Sequence, residues 1–173
     1  MSEDVFSIET DYLNFRPLRL GDESYIFPEV DEELTRYWIG WEPSKDIREE
    51  REKVKARIAI AEIPPNFEFV VFDKGGRFVG CCGVSPSEEP GEFEVDLWVI
   101  HSAQGKGYGK EMLQTALRWT KEHSNLLYVV YSYTEGNEAS AAIIHRMNAL
   151  MFREVTYLKR GELKRVFDHK IIL

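Results

Sequence analysis

The chain has 173 residues, 43% of them hydrophobic and 13% aromatic, with a formal net charge of -8. This is enough apolar material for one substantial core, so a single domain over 1–173 is expected; the acidic balance argues against nucleic acid, whose phosphates attract a basic face, and permits a cationic substrate. No run approaches about 18 apolar residues, and Met1, Ser2, Glu3 and Asp4 lead into no apolar signal segment, so a membrane or export is not expected and the cytoplasm is.

Residues 13–18 read as a strand, followed by short aromatic-rich helical turns from Asp22 to Trp38. After Pro43 and Ser44, the expected cap, Ile47, Val54, Ile58 and Ala61 mark one face of a charged helix that must stop before Pro64 and Pro65. Strands 67–72 and 78–84 flank Asp73, Lys74, Gly75 and Gly76, a strong hairpin signal. Cys81 and Cys82 are adjacent, so they point to opposite faces of that strand and read as two structural thiols, neither disulfide nor metal site. A loop over 85–91 leads to a strand over 94–100. The helix from 107 to 123 turns Tyr108, Met112, Leu113, Ala116, Leu117 and Thr120 inward and Lys110, Gln114, Arg118 and Lys121 outward. A strand over 126–133, a helix over 137–149 and a hairpin of 152–158 with 163–171, turned at 159–161, complete an α+β (mixed α/β) order of β α α β β β α β α β β.

The stretch Gln104, Gly105, Lys106, Gly107, Tyr108, Gly109, Lys110 sits where a strand hands over to a helix. Glycine lets the backbone approach a ligand, and the free amides and dipole of a helix start attract an anion, so a phosphate or pyrophosphate is the expected guest. The spacing excludes a P-loop: counted back from Gly109 and Lys110, its first glycine falls on Gln104 and its metal-binding hydroxyl on Glu111. The dinucleotide fingerprint fails as well, because starting from Gly105 its third glycine falls on Lys110. Gln104, Gly107 and Gly109, as Gln-x-x-Gly-x-Gly after a strand, resemble the acetyl-CoA pyrophosphate loop of the GNAT N-acetyltransferases. Three further segments carry the resemblance. Thr10 to Leu18, with its Arg16-Pro17-Leu18 ending, looks like the first strand of the branch containing ribosomal-protein N-terminal and spermidine acetyltransferases. Glu94-Val95-Asp96-Leu97-Trp98 is similar to that branch's Glu-Ile-Gly-Tyr-Trp strand, with Asp96 where glycine is usual, and Asn137 with Ser140 resembles the Asn-x-x-Ser that opens the helix beside the CoA arm.

The resemblance implies a single GNAT-like domain, a splayed, mostly antiparallel mixed sheet of about seven strands flanked by about four helices. It implies acetyl-CoA as co-substrate, gripped at the pyrophosphate by Gln104, Gly105, Lys106, Gly107, Gly109 and Lys110. The pantetheine would run beside Trp98 and Val99, whose main-chain amides polarise the acetyl carbonyl, with Asn137 also at the cofactor. The expected reaction is direct attack of a primary amine in a ternary complex, the amine being a small cation or polyamine or a protein N-terminus. An alkylamine with a pKa near 10.4 is neutral in only about one molecule in 10³ at pH 7, so a carboxylate base helps. Glu94 is the candidate, with Asp96 on the same strand face; a merely electrostatic or solvated Glu94 is the other reading.

The family's usual acid, a Tyr seven residues after the Asn, falls on Ile144. Ser140 is the nearest hydroxyl by motif, as acid or as helix-start hydrogen bond, with His145 and Tyr133 in reserve. The Gly-Phe usual at that helix end appears as Met151-Phe152, displaced by three residues, so the helix or its exit should be about one turn longer. His101, His123 and His169 lack partners at ligand spacing, so no metal is expected. Tyr25, Phe27, Tyr37, Trp38 and Trp41 read as a packed cap or an acceptor wall. The acids Glu29, Asp31, Glu32 and Glu33, and Glu88, Glu89 and Glu92, read as a solubilising face or as acceptor-side charge. The rival reading is a CoA-binding sensor or structural module without turnover, and a homodimer is left open.

Overall fold

Alternation of apolar and polar residues fixes which side of each strand faces a core, and hairpin turns fix which strands pair. In a computed structural model describing residues 7–173, Leu13–Pro17 (β2), Phe67–Asp73 (β3), Phe78–Pro86 (β4) and Phe93–Val99 (β5) pair antiparallel in sequence order. Representative register pairs are Phe15 with Val71, Val70 with Cys81 and Cys82 with Leu97. Tyr128–Thr134 (β6), Leu150–Lys159 (β7) and Glu162–Ile172 (β8) extend the sheet to the order β1-β2-β3-β4-β5-β6-β8-β7. The two-residue strand Ile8–Glu9 (β1) makes eight strands instead of about seven; it is too short to carry a periodic signal and exists because Ile8 meets Phe15 across the edge of β2. The acidic Met1 to Asp4 segment lies outside the described residues.

The sheet divides two cores. On one face Met112, Leu113 and Ala116 of Tyr108–His123 (α3) and Ile144 of Glu138–His145 (α4) bury against Phe15, Phe69, Cys82, Val95 and Tyr131. On the other, Ile26 of Glu23–Ile26 (α1) and Val54 of Ile47–Ala61 (α2) cover Leu18, Val70 and Cys81. Adjacent Cys81 and Cys82 therefore belong to different cores, both reduced and both buried, and burial pushes the Cys81 thiol up to about 12. The Arg16-Pro17-Leu18 corner has a structural use. Arg16 forms a bidentate pair with buried Asp22 (2.8 and 2.6 Å), clamping the end of β2 to the start of α1.

Two local expectations change. The cap of α2 is Asp46, not Ser44: the Asp46 carboxylate accepts the amides of Arg48 (2.8 Å) and Glu49 (3.0 Å). Ser44 lies two residues upstream of the cap position, and its hydroxyl donates to Glu50 (2.6 Å). Helix α4 ends at His145, short of 149. The extra turn lies in the exit, where Asn148 takes a φ of 51° before β7 begins at Leu150.

The joint between β5 and β6 positions everything that follows. These strands run parallel and share a single register pair, Glu94 opposite Val130, beyond which they part. A gap through the middle of a sheet leaves strand amides unpaired unless a ligand or side chain meets them.

Candidate active site

Strand alternation sorts β5 to two sides of this gap. Leu97 and Val99 face α3, where both come within 4 Å of the position a Cβ on Gly109 would take. Glu94, Asp96 and Trp98 face the α1/α2 side, where the Trp98 ring packs on Trp38 with centroids 5.6 Å apart. A cleft of ≈ 520 Å³ joins the two sides; its wall includes Glu94, Asp96, Trp98, Tyr131, Asn137 and Ser140. The gap is thus a window through which a molecule on the α3/α4 side can meet one on the α1/α2 side.

At the α3 side the strand-to-helix turn is built as the sequence implies. Gly107 caps α3 at φ 83° and ψ 0°, a left-handed conformation that suits glycine, and a Cβ there would meet nothing within 4 Å. Among the described residues the amides of 105–110 reach no backbone acceptor; the first helical amide to do so is that of Glu111, on the Gly107 carbonyl (3.3 Å). A run of unpaired amides in open space at the positive end of a 16-residue helix fits a pyrophosphate. Lys106 and Lys110 are exposed beside it. The Gln104 amide doubles back to donate to the Val99 carbonyl (3.0 Å), bracing the end of β5 against the turn.

On the α1/α2 side, Glu68, Glu92 and Asp168 are held by arginines. Arg57 holds Glu68, with Nε 2.9 Å from Oε2. Arg153 binds Asp168 and Glu92, and the Ser132 hydroxyl donates to Asp168 (2.8 Å). Glu94 and Asp96 form no ion pair among the described residues. Burial, then the charge of Asp96, raises the pKa of Glu94 into the neutral range against the lowering effect of Ser132. Asp96 is open to cleft water but walled round, and it too is raised, by loss of bulk solvent and by Glu68, against Arg57 and Ser85. Gly83, the register partner of both Glu68 and Asp96, leaves no side chain between them; a Cβ there would lie 2.3 Å from the Phe67 carbonyl.

At the start of α4, the Asn137 side chain accepts the Ser140 amide (3.2 Å), and Ser140 lies near enough to the phenol of Tyr131 to oppose the effect of its burial. Ile144 is 1% exposed and wholly committed to the core, so that position supplies no proton. Tyr133 is packed between Phe167 and His169, both with centroids at 5.4 Å, and His145 lies edge-on to it. Trp41 receives Lys53 and Arg57 over its ring, making a cleft wall, whereas Tyr25 stacks on Phe78 and belongs to the core cap. His101 pairs with Asp31 (3.1 Å), tying part of the first acidic cluster to the surface. The window therefore brings Glu94, Asp96, Trp98, Asn137 and Ser140 together and sets the glycine turn at its α3 side. Tyr131, Ser132 and the Arg57–Glu68 pair carry no signal in the chain itself, because their roles depend on which strand lies beside which.

The sequence profile of the Acetyltransferase (GNAT) domain matches residues 12–149. The chain belongs to this family. No curated protein sequence matches it. Among solved structures, the apo RimL ribosomal L7/L12 alpha-N-protein acetyltransferase superposes with a TM-score of 0.84 at 18% identity, covering 100% of this chain and 97% of that one. The spermidine N-acetyltransferase from Vibrio cholerae, in complex with CoA and spermine, gives 0.81 at 18% identity over 94% and 96%. The ribosomal-protein-S5-alanine acetyltransferase from Vibrio fischeri gives 0.78 at 18% over 96% of each chain. By its membership of the GNAT family this chain is an acetyl-CoA-dependent N-acetyltransferase. Its mixed, mostly antiparallel open sheet is the GNAT fold.

Proposed function

We propose that this GNAT enzyme acetylates the primary amine of a small cation of the diamine or polyamine class, by direct attack on the thioester of acetyl-CoA in a ternary complex. The observation that carries the reading is the pair of carboxylates, Glu94 and Asp96, left without a cation on one side of the window while Glu68, Glu92 and Asp168 beside them are each paired with an arginine. In this reading the pyrophosphate rests on Gln104, Gly105, Lys106, Gly107, Gly109 and Lys110, and the pantetheine passes Asn137 and lies along the main chain of Trp98 and Val99. The acetyl carbonyl then arrives at the window. Glu94, ionised when the raised pKa is exceeded, takes the proton of the incoming ammonium, while Asp96 stays as a second negative charge for the rest of the cation. Ser140 stands on the leaving-thiol side. A cytoplasmic setting, with access to acetyl-CoA, suits this chemistry.

A protein N-terminus is the second reading, favoured by a cleft wide enough for aromatic walls at Trp38, Trp41 and Tyr157 and by the full-length likeness to a protein named as an alpha-N-protein acetyltransferase. Thiol release at saturating acetyl-CoA, compared across polyamines, monoamines and short peptides, separates them. Polyamines should give the highest kcat/KM, monoamines less because one carboxylate goes unused; a peptide that outruns every polyamine would overturn the assignment.

A further inference from the structure

When the amine displaces CoA, the sulfur leaves as a thiolate and a proton must reach it. The donor has to lie on the α3/α4 side of the window, at the point where β5 and β6 part. That point is marked by the single register pair at Val130, and the next residue on β6 is Tyr131. Alternation turns its side chain to the α3/α4 side, where it packs in the same core as Met112 and Ile144, 4% exposed. Its phenol lines the cleft beside Ser140 of the α4 side, close enough for that hydroxyl to ease its ionisation, and is close enough to Asp96 to feel that charge from the other side. It is therefore a protonated group with a foot on both sides of the window.

We propose that Tyr131 is the catalytic acid of this enzyme, giving its phenolic proton to the departing thiolate, with Ser140 as the hydrogen-bond donor that steadies the phenolate. The acidity of the candidates decides between them. A thiol near 8.5 and a phenol near 10 differ by about 30-fold, whereas an aliphatic hydroxyl about as weak as water, near 15.7, falls short by about 10⁷. Ser140 alone is thus a poor source, and Tyr131 is well matched. Burial keeps the phenol protonated through neutral pH, and Ser140 opposes this, easing ionisation. The step balances: the amine nitrogen bonds to the acetyl carbon, the C–S pair moves to sulfur, the Tyr131 proton goes to sulfur, and the phenolate regains a proton from cleft water in a concerted relay in which Ser140 passes one proton on as it receives another. Glu94 releases the amine proton to solvent. The proposal rests on the acetyl-transfer reading above but not on which amine is used.

Tyr131→Phe keeps the ring and its packing, so the fold and acetyl-CoA affinity should stay within about twofold. Its kcat should fall at least about 10²-fold with KM little changed, within the usual range for general acid catalysis. The alkaline limb of the kcat profile, which in the wild type reports phenol ionisation, should disappear. Ser140→Ala should lose about tenfold, a steadying partner and not the donor. Bound free CoA gives an acceptor-independent readout: ultraviolet titration of its thiol should show ionisation at higher pH in Tyr131→Phe than in the wild type, since a hydrogen bond to the thiolate is lost. A Tyr131→Phe enzyme with wild-type kcat and an unshifted thiol titration overturns the proposal, as does a larger loss in Ser140→Ala than in Tyr131→Phe. A wild type that releases no thiol with any amine would instead overturn the amine reading, and the thiol titration would still decide Tyr131.

Discussion

Placing a carboxylate at Gly107 tests the anion cradle at its centre. The backbone there is left-handed (φ 83°), and a Cβ would meet nothing within 4 Å, so a side chain is accommodated without a clash. Asp and Asn are the non-glycine residues that best tolerate this conformation, and the residual strain of about 1 kcal/mol falls on the free and liganded protein alike. What differs between them is charge. A carboxylate about 4 Å from a pyrophosphate oxygen repels it by about 4 kcal/mol per unit charge at an effective dielectric of about 20, or roughly 10³-fold in affinity. Gly107→Asn, nearly the same in shape, lacks this repulsion and should lose less than about tenfold. Calorimetric titration with acetyl-CoA should therefore rank wild type, Asn and Asp in steps of unequal size, with the Asp penalty shrinking as salt is raised. Equal affinities for the Asn and Asp variants would show that no anion sits at the start of α3.

Glu94→Gln should lower kcat/KM at pH 7 by about 10²- to 10⁴-fold, and the wild-type rate should fall as pH drops through the neutral range, because the working form is ionised and its pKa is raised; a rate flat down to pH 5 would exclude this base. Asp96→Asn should stabilise the fold at alkaline pH and lose that advantage in acid. A carboxylate whose folded pKa is raised binds its proton more tightly when folded, so stability falls as pH rises from the unfolded to the folded pKa. Because cleft water screens Asp96, the gain should be below about 1 kcal/mol, or about 2–4 °C in Tm, by thermal melts at pH 5 and pH 9. Asp46→Ala should cost about 1 kcal/mol through loss of two amide bonds at the start of α2, with Ser44→Ala costing less; the reverse order would restore Ser44 as the cap.

Local signals were legible wherever a single element determines them. Alternation gave β2 to β6, the Asp73–Gly76 turn gave the hairpin, and the spacing of Gln104, Gly107 and Gly109 located the strand-to-helix turn whose amides the fold leaves unpaired. The cap of α2 was misplaced because Ser44 and Asp46 are both good capping residues, and only the backbone path shows which carries the helix start. The extra residues before Met151 could lengthen either α4 or its exit, and a positive φ at Asn148 decides for the exit. Tyr131 and Ser132 were invisible because nothing in the chain says that β6 meets β5 at one residue and then leaves it. Glu94 and Asp96 could be placed on one face from their spacing; that they are unpaired depends on Arg57 and Arg153, which arrive from α2 and β7 and pair with Glu68, Glu92 and Asp168 instead.

The central claim is that the cofactor arm and the acceptor meet through the gap between β5 and β6, and amide hydrogen exchange tests it most directly. Acetyl-CoA should slow exchange at 105–110, whose amides are unpaired in the free protein, and at Leu97 and Val99 of β5, whose amides alternate away from β4 toward the gap, with a polyamine adding protection near Glu94 and Asp96. Protection confined to other segments, or none at the β5 amides when acetyl-CoA is bound, would contradict it.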